Sequence, residues 1–216
     1  MVKENILVPV KASEWGTPIV CVQKRDGSLR IYEDYSGTVN PNCIRDVYPL
    51  PTIDKVLAKL AGGKYFSRFD LSLAFLQLTV DDETAKVLTL NTHKGLFEVR
   101  RLSQGLSAPP GIFQRTIESV LVGLEGVLGY LDDILIPASS RHLLCSRVRA
   151  VLSSLASTGL HLRLEKCKFG VQSIDFVGYH ISDRGFSPTA AKVQAIMSAS
   201  KPHDVDSLRV YIGFVN

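Results

Sequence analysis

Two adjacent aspartates, Asp132 and Asp133, interrupt the apolar run VLGYLDDILI, and no other feature restricts the fold of this chain as tightly. The run reads as two short strands meeting in a tight turn at the acids. A turn accepts Asp, because its short side chain bonds to nearby backbone. Two apolar strands rarely need both carboxylates there. A third acid ends another strand pattern, Tyr65 to Leu71. In an extended chain Tyr65, Phe69 and Leu71 share one face, and Phe66, Arg68 and Asp70 share the other. Asp70 therefore stands at a strand end, on the face opposite the larger apolar cluster.

The elements around these acids follow from local signals. Thr17 to Lys24 is β-rich, Arg25-Asp26-Gly27-Ser28 is a turn signature, and Leu29 to Tyr32 is a return strand. Ser36 to Pro51 reads as loop. Thr52 caps a helix in which Ile53, Val56, Leu57 and Leu60 recur at helical spacing, and Gly62-Gly63 ends it. Gln104 to Pro110 is loop, and Pro110 suits the first turn of the helix that carries Phe113, Ile117, Val120, Leu121 and Leu124. His142 to Thr158 is a further helix, stopped by Gly159. Ile174 to Ile181 reads as a strand. Helices mixed with hairpins predict an α+β domain with an antiparallel sheet.

Composition excludes some classes. Hydrophobic residues make up 45% of the 216 and charged residues 21%, so the chain can bury a core and is not a disordered tail. Lys+Arg is 25 against Asp+Glu 21, a mild excess compatible with a polyanionic partner. None of Cys21, Cys43, Cys145 and Cys167 forms a C-x-x-C pair, so the expectation is free thiols in a reducing compartment. No secretion signal opens the chain, and no apolar run reaches the roughly 18 residues of a membrane span. A soluble intracellular protein without a membrane partner is expected.

If the hairpin joins the sheet of the Asp70 strand, three carboxylates converge. They repel one another unless cations neutralise them. Mg²⁺ takes hard oxygen ligands and keeps positions for phosphate oxygens and water. Two such ions can hold attacking and leaving oxygens in line, which is the arrangement for phosphoryl transfer.

Ten segments in order carry a more specific signal: SEWGTPIVCVQKRDGSLRI, DYSGTVN, YPLPTID, LAGGKYFSRFDLSLAF, TLNTHKGLFEVRRL, QGLSAPPGIFQR, YLDDILI, KCKFG, IDFVGYH and LRVYIGFVN. With these, the chain resembles the reverse transcriptases of Ty3/gypsy-type long-terminal-repeat retrotransposons along nearly its whole length. The resemblance implies polymerase fingers and palm, with a mainly antiparallel palm sheet packed on helices and the thumb missing. It divides the chain into fingers at about 1–48 and 77–107, palm at 49–76 and 108–200, and the start of a thumb at 201–216. Asp70, Asp132 and Asp133 match the catalytic, metal-binding aspartates, with Asp133 the more peripheral, and imply Mg²⁺, with Mn²⁺ able to substitute. Lys24 and Arg30 match residues that hold the triphosphate, a role suited to cations. Phe75 matches the aromatic residue under the incoming sugar, and Gln104 and Gly105 match the loop that contacts the nucleotide and template. Tyr130 matches the residue beside the primer terminus, and Val177, Gly178 and Tyr179 match the hairpin that steadies the primer.

The implied activity is RNA-directed DNA polymerisation by a fragment of a retrotransposon polyprotein. The implied partners are an RNA or DNA template with primer, deoxynucleoside triphosphates, and the polyprotein's remaining thumb, connection and ribonuclease H domains. The implied location is a cytoplasmic particle or the nucleus. Glu33, Leu73, Phe75, Leu76, Gln104, Pro109 and Gly129 depart from the family's usual residues. Pro109 is expected to remove a backbone donor from a functional loop, and Glu33 to place a carboxylate near the nucleotide-binding hairpin. The departures at Glu33 and Pro109, with the missing thumb, favour the alternative of a catalytically silent nucleic-acid-binding remnant, and the retained Asp70, Asp132 and Asp133 argue against it. A metal-dependent nuclease would use the same acids but leaves the Lys24/Arg30 hairpin and the Gln104 loop without a task.

Overall fold

The computed structural model describes residues 1–23, 27, 29–43 and 48–215. The strands and helices in chain order are β1 (Leu7–Val10), β2 (Thr17–Gln23), β3 (Leu29–Glu33), α1 (Ile53–Leu60), β4 (Tyr65–Asp70), α2 (Asp82–Val87), β5 (Leu90–Thr92), β6 (Gly95–Val99), α3 (Pro109–Val120), β7 (Leu128–Tyr130), β8 (Asp133–Ala138), α4 (Arg141–Thr158), β9 (Lys168–Val171), β10 (Ser173–Phe176), β11 (Tyr179–Ser182), β12 (Gly185–Pro188), α5 (Ala190–Ser198) and α6 (Val205–Val215). They build a five-stranded sheet ordered β1-β6-β5-β2-β3, a four-stranded sheet ordered β7-β8-β4-β9 and a three-stranded sheet ordered β10-β11-β12. The pairings are antiparallel except β2 with β5. The expected α+β class with mainly antiparallel sheets is therefore what forms.

The four-stranded sheet is buried on both faces. Phe69, Ile134 and Ile136 pack with Phe113 and Ile117 of α3 and Val151 and Leu155 of α4. Phe66 and Leu135 pack on the other side with Val56, Leu57 and Leu60 of α1 and with Ile174, Phe176 and Ile181 of the three-stranded sheet. Burial on both faces explains why β8 reads as an unbroken apolar run instead of an alternation. The five-stranded sheet has its own core around Tyr35, Leu88, Leu90 and Val99.

Local signals set several boundaries. Thr52 caps α1 by accepting a hydrogen bond from the Lys55 amide at 3.4 Å. Gly159 stops α4 in the left-handed conformation, φ 72°. Pro109 corrects an expectation. It is the first residue of α3, where an amide hydrogen has no intrahelical partner anyway, so its missing donor costs the loop nothing. Ile174 to Ile181 is a second correction. It is a hairpin, β10 paired with β11 from Phe176 opposite Tyr179, turning through Val177 and Gly178 at φ 46° and 79°. Among the described residues no helix is long and apolar enough to cross a membrane, and all four cysteines are free.

Candidate active site

Strand pairing brings the acids together along the backbone. Asp70, the last residue of β4, lies opposite Asp133, the first of β8. The Leu71 amide donates to the Asp132 carbonyl at 2.8 Å, so the two chain reversals are stitched to each other. Tyr130 opposite Asp133 closes the β7–β8 hairpin, with Leu131 and Asp132 as its two turn residues.

The three carboxylates nevertheless have different partners. Residues opposite each other on paired strands point to the same side, and like charges there repel. Arg68 shares that side, two residues before Asp70. It answers the repulsion at Asp133 with a forked ion pair, Nε to Oδ1 and Nη2 to Oδ2, each 2.8 Å. The Arg68 guanidinium also stands 5.5 Å from the Phe176 ring centroid and donates to the Asp175 carbonyl at 3.4 Å. Burial pushes the Asp133 carboxyl above the ordinary carboxylate range. Arg68 draws it back, and the charges of Asp132 and Asp70 push it further up. The same ion pair holds the Arg68 guanidinium above its usual value.

Asp70 and Asp132 instead line a cleft of about 360 Å³ together with Ile31 and Glu33 of β3, Gln104, Leu71, Leu73, Ala74, Leu76, Arg163, Lys166 and Met1. The Lys166 ammonium is 3.9 Å from Asp70 Oδ2. Among the described residues no three His, Cys, Asp or Glu side chains converge as a metal cage would. Two carboxylates face the cleft and the third is held by Arg68. Two still fit Mg²⁺, which commonly takes one or two protein carboxylates and fills its other positions with water and substrate phosphates.

The remaining predicted residues divide. Gln104 lines the cleft. Gly105 is required by contact, because a Cβ there would stand 2.1 Å from the Glu33 carbonyl oxygen. Asn40 fastens this loop, donating to the Gly105 carbonyl and accepting from the Ser107 amide, both at 3.0 Å. Phe75 does not stand among the lining side chains. Its ring lies 5.1 Å from that of Phe113, and its neighbours Leu73, Ala74 and Leu76 form the wall. Tyr130 meets Phe176 edge-on at 5.5 Å, which joins the acid-bearing hairpin to the Val177-Gly178 hairpin. Tyr179 lies under the Lys192 ammonium, 4.4 Å from its ring centroid. Lys24 lies outside the described residues, as do Arg25, Asp26 and Ser28 of the expected turn. Arg30 is described only in its backbone, opposite Val22 in the β2–β3 pair.

Several residues that shape the site were not singled out from the sequence. Gln77 clamps two segments around the cleft, donating to the Ser72 and His161 carbonyls at 2.6 and 3.0 Å and accepting from the His161 amide at 2.6 Å. Arg68 and Gln114 are the other two. Each interrupts an apolar pattern with a polar group on a buried face, which is the one signal that could have found them. A second concavity, about 470 Å³, lies behind the β7–β8 hairpin between Tyr48, Leu50, Lys55, Glu118 and Leu124, and no candidate catalytic aspartate lines it.

Comparison with known proteins agrees with this fold. Residues 22–181 match the family described as reverse transcriptase (RNA-dependent DNA polymerase). The chain is 32% identical over 211 residues to the uncharacterized protein K02A2.6 of Caenorhabditis elegans, covering 97% of this chain and 16% of that protein. It is 33% identical over 204 residues to the transposon Tf2-3 polyprotein of Schizosaccharomyces pombe, covering 92% of this chain and 15% of the polyprotein. It thus spans only about a sixth of the length of these relatives. Among solved structures, a foamy viral protease-reverse transcriptase in complex with double-stranded DNA superimposes with a TM-score of 0.86 at 25% identity, covering 99% of this chain and 37% of that one. The foamy viral protein in complex with an RNA/DNA hybrid superimposes with a TM-score of 0.84 at 23% identity, covering 100% and 29%.

Proposed function

The chain belongs to the reverse transcriptase family, and on that premise we propose that it is the fingers-and-palm part of an RNA-directed DNA polymerase within a Ty3/gypsy-type retrotransposon polyprotein. Fingers are assigned to about 1–48 and 77–107, palm to 49–76 and 108–200, and the start of a thumb to 201–216. The observation that carries the activity is the pair Asp70 and Asp132 on one cleft, between the sheet of β2 and β3 and the sheet of β4 and β8. Asp70 and Asp132 would hold Mg²⁺, or Mn²⁺ in its place. Bound there, the ion supplies positive charge that favours ionisation of the primer 3′-hydroxyl and departure of pyrophosphate.

The chain's own residues do the rest. Arg163 and Lys166 offer cations to the phosphates from the palm side, and Lys24 and Arg30 are assigned the same task from the fingers. Gln104 and Gly105 form the floor toward the nascent base pair, and Phe75 supports the wall beside the sugar from behind Ala74. Tyr130 and the Val177-Gly178-Tyr179 hairpin are assigned to the primer end. Asp133, engaged by Arg68, fixes the end of β8 and stays clear of the cleft. The template, RNA or DNA, is read by base pairing while protein cations grip its backbone. The expected setting is a cytoplasmic particle or the nucleus.

Primer extension on a homopolymer template with Mg²⁺ or Mn²⁺ tests this reading. Asp70→Asn and Asp132→Asn should each abolish extension, and Asp133→Asn should leave a measurable fraction. Wild-type extension no greater than that of the Asp70→Asn/Asp132→Asn double variant would favour a silent nucleic-acid-binding remnant. Metal-dependent shortening of the primer would favour a nuclease.

A further inference from the structure

The turn that carries Asp132 is held in a conformation its sequence does not favour. Leu131 has φ 50°, the left-handed region, where a side chain with a Cβ is disfavoured. Such a residue persists only where its surroundings over-determine it. Here the surroundings are one buried amide. Gln114, in the middle of α3, is 0% exposed. Its Oε1 accepts from the Leu131 amide at 2.8 Å, and its Nε2 donates to the Gly129 carbonyl at 2.9 Å. It therefore grips the backbone on both sides of Tyr130. The amide can stand only one way round, since exchanging O and N would set donor against donor at Leu131 and acceptor against acceptor at Gly129.

Gln114 is itself held. Its second amide hydrogen goes to Glu118 Oε1 at 2.8 Å, one helical turn on. The other Glu118 oxygen accepts from the Tyr48 hydroxyl. Helix α3 also packs tightly on the hairpin here. A Cβ on Gly129 would stand 2.3 Å from Cγ2 of Ile117, so the helix is a near-rigid backing for the turn. From Leu131 the next residue is Asp132, whose carbonyl accepts from the Leu71 amide beside Asp70.

We propose that Gln114 is a positioning residue that holds the left-handed Leu131 turn, and through it the Asp132 carboxylate, in register with Asp70, and that Glu118 and Tyr48 fix the Gln114 amide in turn. This rests on the polymerase reading for its consequence but not for its geometry, and the two can fail separately.

The test uses the full chain with Gln114→Met, Gln114→Glu and Tyr48→Phe. Met keeps the volume and offers no hydrogen bond. Glu keeps the acceptor toward Leu131 and loses both donors. Tyr48→Phe removes only the outermost link and keeps a folded protein available. Amide exchange at Leu131 should accelerate roughly tenfold or more in Gln114→Met and severalfold in Tyr48→Phe, with the centre of α4 unaffected. Gln114→Glu should retain more of the Leu131 protection than Gln114→Met. In primer extension kcat should fall roughly 30-fold or more in Gln114→Met, with nucleotide KM within about twofold, because a small displacement of a reacting group costs rate more than binding. Mn²⁺ affinity followed by electron paramagnetic resonance should weaken in step. Unchanged Leu131 exchange in both Gln114→Met and Tyr48→Phe overturns the proposal. So does faster exchange in Gln114→Met with Mn²⁺ affinity and kcat both at wild-type level, since the amide would then serve only the fold. An inactive wild type sinks the polymerase reading alone, and exchange and Mn²⁺ affinity still decide the role of Gln114.

Discussion

Replacing Arg68 with Met strands a charge. Asp133 would keep its place at the start of β8 with Asp70 opposite and Asp132 beside it, and lose its forked partner. Two unit charges about 4 Å apart attract by about 4 kcal/mol at an effective dielectric of about 20. The side chains are 29% and 18% exposed, so water screens part of this and enters once the guanidinium is gone. Met retains most of the stem packing. The expected net loss is therefore about 2 kcal/mol at neutral pH, below the figure for a fully buried pair. In urea this is a midpoint shift of about 1 M at unchanged slope. The double variant Arg68→Met/Asp133→Asn removes the stranded charge as well and should recover to within about 1 kcal/mol of wild type. The pH dependence has a definite sign. Burial already holds the Asp133 carboxyl above the ordinary range, and losing Arg68 raises it further. The folded state then binds a proton that the unfolded state releases, so the penalty is complete at neutral pH and fades as pH falls through the folded-state pKa. Arg68→Met within about 0.5 kcal/mol of wild type, or a double variant no more stable than the single, would refute the argument, because exposed pairs are worth no more than that.

Gly105→Ala should destabilise by about 2 kcal/mol through overpacking, since its Cβ would meet the Glu33 carbonyl and neither backbone can rotate away; calorimetry checks it, and a wild-type melting temperature would show that the loop yields freely. Phe75→Val should lower stability by about 2 kcal/mol through lost packing on Phe113. If the ring supports the wall beside the sugar, the same change should raise ribonucleotide relative to deoxynucleotide kcat/KM, and an unchanged ratio with activity retained would leave Phe75 a packing residue. Asp81 caps α2, and the Thr84 amide donating at 2.7 Å holds its carboxyl below the ordinary value. A depressed acid stabilises the fold above its unfolded pKa and loses that contribution as pH falls through the folded one. Asp81→Ala should thus melt earlier than wild type at neutral pH and level with it in strong acid, and a gap that persisted in acid would assign the effect to something other than the ionised cap.

Much of this was legible in the chain because it is written locally. The Thr52 cap and the Gly159 stop each depend on residues within one turn of themselves. The hairpin at Val177-Gly178 was visible in the family resemblance but not in the apolar pattern, for the converse reason. Val177 is β-branched and adopts φ 46°, a conformation its own chemistry disfavours, so the alternating apolar pattern ran through the turn without a visible break. The Arg68–Asp133 pair joins residues far apart in the chain, and strand register had to exist before it could be seen. Pro109 reads as a defect in a loop and as a favourable start in a helix, and the difference is where α3 begins. The backbone neighbourhood of the three acids was foreseeable, but which carboxylate faces which partner was not.

That last distinction decides where a cation would go. Asp133 is answered twice over, by both nitrogens of the Arg68 fork. Asp70 has Lys166 at 3.9 Å, but that ammonium is 56% exposed, and a single exposed contact of this kind is worth little. Asp132 is exposed at the tip of the turn. The cleft therefore keeps two carboxylates whose charge is poorly compensated, beside a third whose charge is already satisfied. A divalent ion gains most where compensation is least, so under the proposed function Asp70 and Asp132 would hold it, although Asp133 is the nearer neighbour of Asp70 in strand register. The adjacency of Asp132 and Asp133 in sequence conceals a division: one residue belongs to the turn and lines the cleft, and the next belongs to the strand and pairs with Arg68.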